Sequence, residues 1–238
     1  LRLLVRVLIC YEPYFTHSLD AMEEALRIAQ SLQDRYLCLI VTIRLGGGAF
    51  FIGRQNRARQ AWESALAMGQ THSYPAREWV LLNNLGDIYR FFGDYEQARQ
   101  LQERALYLTR DAGNQREQTH VLEGLIRTYT SLGLYGEAQA AAEECLTLSH
   151  TLQVWNMHLF ALNAQGHLYR QAGEMMLAEQ SYRQAIGVAE AQGDLAHVLL
   201  ETYAGLAEIA LWEGALGAAQ TAAEKFRILH EQIPLEHF

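Results

Sequence analysis

A chain of 238 residues, half of them hydrophobic, can bury a core as one or two domains or as an array of repeats. Its net charge of −8, from 27 acidic and 19 basic side chains, excludes a broadly basic face and so argues against nucleic acid as a partner. Cys10, Cys38 and Cys145 are widely spaced with no CxxC pair, which excludes a disulfide framework and a thiolate zinc site and predicts a reducing, cytoplasmic setting.

The opening "LRLLVRVLIC" carries Arg2 and Arg6 and is too short to span a bilayer, and no signal-cleavage pattern follows. No membrane partner is expected. The chain lacks an initiator methionine and reads as a piece of something larger. Next comes "RLGGGAFFIGRQ" at 44 to 55, where glycines beside arginines raise the question of a phosphate loop. No predicted strand precedes it and no G-x-x-x-x-G-K-[ST] pattern is present, so repetition explains it better.

The stretch "IRLGGGAFFIGRQNRARQAWESAL" at 43 to 66 recurs in altered form at 83, 123 and 163, forty residues apart each time, and at 204 after one extra residue. One column reads Gly53, Gly93, Gly133, Gly173, Gly214, and another Ala58, Ala98, Ala138, Ala178, Ala219. Each unit reads as helix, glycine turn, helix: the glycine ends the first helix in a left-handed conformation, and the alanine lets two helices cross closely. The predicted units run approximately 1–35, 36–75, 76–115, 116–155, 156–195 and 196–233, one array over the whole chain. The fold class expected is all-α, a right-handed superhelical solenoid of about six stacked antiparallel helix pairs. Gly46 shares a column with Gly86 and Gly166, but Gly47 and Gly48 lie inside a helix and predict local weakness or a kink there.

The run "LGDIYRFFGDYEQARQLQERA" resembles the tetratricopeptide repeat, with its L-G-x-x-Y, then glycine, then alanines, and the likeness covers essentially the whole chain. The period of forty departs from the usual of about 34. It is similar to the longer-helix variety in scaffold proteins and in the sensor regions of bacterial signalling ATPases and transcription activators. The resemblance implies that first helices line a concave groove, with groove residues Asn83, Asn84, Asp87 and Arg90; Glu123 and Arg127; Asn163, His167 and Arg170; and Glu208 with Trp212.

Arginine forks suit the carboxylates of a bound peptide, and asparagines can hold its main chain. Asn84 stands where scaffold members carry such an asparagine. The alternative is a solvated face whose charges pair among themselves, Asp87 with Arg127 for instance. His120, His158 and His167 have no second ligand at metal spacing, and no nucleophile motif occurs, so neither metal, cofactor nor catalysis is expected. The function implied is a non-catalytic module binding a protein or peptide through its concave groove; the alternative is an effector-sensing domain of a larger bacterial regulator. The apolar ends, "LRLLVRVLIC" and "RILHEQIPLEHF", predict flanking sequence or end-to-end association of chains.

Overall fold

The computed structural model describes residues 19–72, 78–193 and 198–232. Among them the chain forms eleven helices and no strand, the all-helical repeat fold expected from the forty-residue period. The helices gather into two compact units, one running through Gly93 and the other starting at Asp94. The opening decapeptide, with Cys10, and residues 233–238 of the closing segment lie outside the described residues.

The first unit holds α1 (Leu19–Ser31), α2 (Arg35–Phe51), α3 (Gln55–His72) and α4 (Glu78–Phe91), each packed on the next. Its repeat glycine Gly46 lies against Trp62, where an added Cβ would meet the indole at 2.3 Å. That indole donates to the Ile43 carbonyl. Helix α2 runs from Arg35 to Phe51 through Gly47 and Gly48. Gly48 gives close room to Met22 of α1, 3.3 Å from where a Cβ would stand, while a Cβ on Gly47 would meet nothing.

The second unit holds α5 (Tyr95–Asp111), α6 (Gln115–Ser131), α7 (Tyr135–Thr151), α8 (Trp155–Gln171), α9 (Met175–Gln192), α10 (Leu199–Trp212) and α11 (Leu216–Gln232). Successive helices pack on one another, and the first helices α6, α8 and α10 also pack directly side by side. The alanine column is sealed between them: Ala98, Ala138 and Ala178 are fully buried. Helix starts are set locally by side-chain caps, Asp94 accepting from the Gln97 N–H and Asn114 from that of Glu117. Two tyrosines of the column tie a first helix to the second helix before it, Tyr89 donating to Glu63 and Tyr129 to Glu103. Burial and that carboxylate push the Tyr129 phenol up to about 12.

Turn glycines such as Gly93 take φ of 83°, the left-handed conformation that an added side chain opposes. Between repeat units the same conformation falls on Gln153, at φ 54°, where another unit has Gly113. A Gln153→Gly variant is expected to gain about 0.5 kcal/mol, the relief of left-handed strain exceeding the added chain entropy of glycine. A thermal melt raised by roughly 2 °C is the readout.

Candidate functional site

The densest set of charged groups on the first helices lies in the second unit. Arg127, one turn before the end of α6, donates through its Nε to Glu123 one turn earlier. Its two terminal nitrogens donate to both oxygens of Glu201 on α10, at 2.6 and 2.8 Å. This side-on fork is the strong form of the arginine–carboxylate bond. The pair reaches over α8 and ties together first helices that stand two repeats apart. Burial works against the charge of Arg127, yet Glu123 and Glu201 more than offset it and hold its pKa well above the ordinary arginine value.

One repeat on, Arg170 of α8 pairs with Glu208 of α10. Its second terminal nitrogen lies 3.1 Å from Nδ1 of His167. With arginine as the donor, that nitrogen must accept, which places the His167 proton on Nε2. The Arg170 Nε is buried and meets no acceptor. Each guanidinium therefore faces a carboxylate supplied by α10, and Glu208 is the more exposed of the two acids.

Asn163 occupies another place than its expected one. It is fully buried, its amide donating to the Val198 carbonyl and its oxygen accepting from Thr202, so it holds α10 against α8 and has no surface for a peptide. Trp212 ends α10 and is 72% exposed. In the first unit, Asn83 is buried on α4 with its side-chain oxygen lacking a hydrogen-bond partner, and Asn84 is half-buried. Asp87 lies 3.4 Å from Arg90 on the same helix. Arg127 is held by Glu123 and Glu201 of its own unit.

Glu201 is the residue that sequence reasoning missed. Its column otherwise reads Ile40, Val80, His120 and Phe160, so an acid standing among apolar and aromatic side chains was the available signal. Among the described residues no cluster of three metal-ligating side chains occurs, and no helix is long and apolar enough to cross a membrane.

His158 has a structural place. It lies 2.9 Å from the Ser149 hydroxyl, against the rings of His150 and Trp155, and burial together with His150 lowers its pKa. Burial likewise lowers that of His120. The unfolded chain therefore takes up these protons near pH 6.5 while the fold resists them, and stability falls as pH drops from about 7 to 5. Gln118, in the same column as His158, donates to the Thr109 carbonyl, in the column of Ser149. His158→Gln is thus expected to flatten the acid limb in denaturant titrations at pH 5 and 7.

Comparison with known proteins agrees with this architecture. Tetratricopeptide repeat profiles match residues 79–149 and 161–196. No curated protein sequence matches the chain. Among solved structures, BtubC from P. vanneervenii superposes with a TM-score of 0.69 at 16% identity, covering 90% of each chain. NprR in complex with its cognate peptide NprX gives 0.74 at 20% identity, over 97% of this chain and 66% of NprR. A signal-transduction ATPase with a tetratricopeptide repeat sensor from Pyrococcus horikoshii gives 0.66 at 19%, over 92% of this chain and 35% of that one. At these identities the superpositions speak for the fold, and the repeat profiles for its kind. The two profile matches make residues 79–149 and 161–196 tetratricopeptide repeats, and the helix–glycine–helix period with its buried alanines continues the same repeat architecture beyond them.

Proposed function

We propose that the chain is a non-catalytic module whose first-helix face in the second unit binds an acidic, extended peptide segment of a partner protein. The observation that carries this reading is the state of Arg127 and Arg170. The Arg127 fork already grips both oxygens of Glu201, and Arg170 pairs with Glu208 through one terminal nitrogen, so Glu201 and Glu208 are the internal competitors of a ligand's acidic groups. Glu123 and His167 set the two guanidinium planes. The fold likeness to NprR, solved with a peptide, supports a peptide rather than a folded surface as the ligand.

Peptides selected by display against the wild-type chain test this. Acidic sequences are expected, bound about tenfold more weakly by Arg170→Gln and more tightly by Glu208→Gln, which leaves Arg170 without its competitor. Binders indifferent to both substitutions would remove the reading.

A second reading, an effector-sensing region of a larger regulator, draws on the likeness to the ATPase sensor region. It requires a small molecule, instead of a peptide, to raise the melting temperature. We also retain end-to-end association, supported by Leu211, Trp212 and Leu216 standing exposed around the last turn. Sedimentation that stays monomeric at every concentration overturns it. The free thiols Cys38 and Cys145 accord with the cytoplasmic setting proposed here.

A further inference from the structure

A cleft of ≈ 1000 Å³ opens in the first unit, on the side of α2 where the second helices α1 and α3 flank it. Its bottom is buried and mainly apolar: Thr42 and Leu45 of α2 with Ala61 of α3. Its walls are the half-buried Leu26, Cys38 and Met68. Its rim is exposed and polar, and the only charges among its lining are the cations Arg35 and Arg57. Arg57 meets Glu23 at 2.7 Å, whereas Arg35 makes no ion pair among the described residues.

The repeat itself explains why this cleft is open. Eighty residues on, the equivalent gap between α5 and α7 is bridged by Arg110, which pairs with Glu144 at 2.6 Å, and Gln118 there bonds to Thr109. One repeat later the gap between α7 and α9 is occupied by the packed rings of His150, Trp155 and His158. In the first unit the same columns carry Gln30, Ser64 and Cys38, which are too short or uncharged to bridge. Thr42 replaces the leucine present at 122 and 162, so the bottom is shallower in bulk as well.

We propose that this cleft is a binding site for a small anionic amphiphile, its apolar body against Leu26, Leu45, Ala61 and Met68 and its anionic head at Arg35 and Arg57. An apolar bottom beneath a cationic rim discriminates in favour of such a molecule: the body is driven in by burial, and the head gains a charge-assisted bond that a neutral analogue cannot make. Glu23 already engages Arg57, so Arg35 is the cation open to an anionic head, with Arg57 reinforcing it. The site is separate from the Arg127 and Arg170 face and does not rest on the peptide reading.

Cys38 in the wall is the reporter. The full chain is alkylated with iodoacetamide, and Cys38 is followed by peptide mass mapping in the presence of octanoate or octan-1-ol, with far-UV circular dichroism confirming the fold. Octanoate is expected to slow Cys38 alkylation in a saturable way, at concentrations about tenfold below those octan-1-ol needs. Arg35→Gln should erase most of that advantage. The double variant Gln30→Arg/Ser64→Glu imports the closing pair of the third and fourth units; it should lose octanoate protection while keeping its melting temperature. Equal protection by acid and alcohol, protection unchanged in the double variant, or none at millimolar octanoate would each overturn the proposal.

Discussion

Gly205→Leu is expected to lower the melting temperature of this protein by roughly 6–12 °C, the equivalent of about 3 kcal/mol. Tyr182, 1% exposed, lies in a slot between two first helices. A Cβ added at Gly205 of α10 would stand 2.4 Å from its Cζ, and one added at Gly166 of α8 would stand 2.6 Å from its Cε1. The ring cannot retreat from one helix without striking the other, so the strain must be taken up by moving a whole helix. Because Asn163 and Thr202 bolt those same helices together, that movement also strains a buried hydrogen bond.

The matched control is Gly47→Ala. It too replaces a glycine inside a first helix, but its new methyl meets open space, so helix propensity alone should raise stability by about 1 kcal/mol. A cycle with Tyr182→Ala closes the test: the ring's removal should make Gly205→Leu markedly less costly. If Gly205→Leu and Gly47→Ala melt alike, the two-glycine slot has no energetic content.

Arg127→Met should destabilise the second unit by about 2–3 kcal/mol, below the range for a fully buried pair because Glu201 keeps 40% of its side chain exposed. Without the guanidinium, Glu123 and Glu201 face each other across the position they shared. The folded variant then binds protons more readily than its unfolded chain, so its deficit against wild type shrinks as pH falls toward about 4. Urea titrations at pH 7 and pH 4 measure both quantities. Glu201→Gln added to Arg127→Met should restore part of the loss, since a neutral amide removes the repulsion. A deficit independent of pH would assign the effect to lost packing of the arginine stem.

The same pair marks how far the linear chain could be read. Arg127 and Glu123 were legible because they are one turn apart and fall on positions the repeat assigns to the groove. Glu201 was not, because it is 74 residues away and meets Arg127 only through the side-by-side packing of α6, α8 and α10. Asn163 looked like a groove residue by register, yet one step of helix rotation buries it and spends its amide on Val198 and Thr202.

The forty-residue recurrence of glycine and alanine determined by itself that the chain is helical, where its turns fall and which small residues lie at helix crossings. Those features are set by neighbours within a few turns, and backbone sterics enforce them wherever they recur. Tertiary structure alone decided which charges meet, which glycines accommodate an aromatic ring and which gap between second helices stays open. Those outcomes depend on the size of side chains brought together from different repeats, so a column of similar letters can be filled by a ring in one unit and left as a cleft in another.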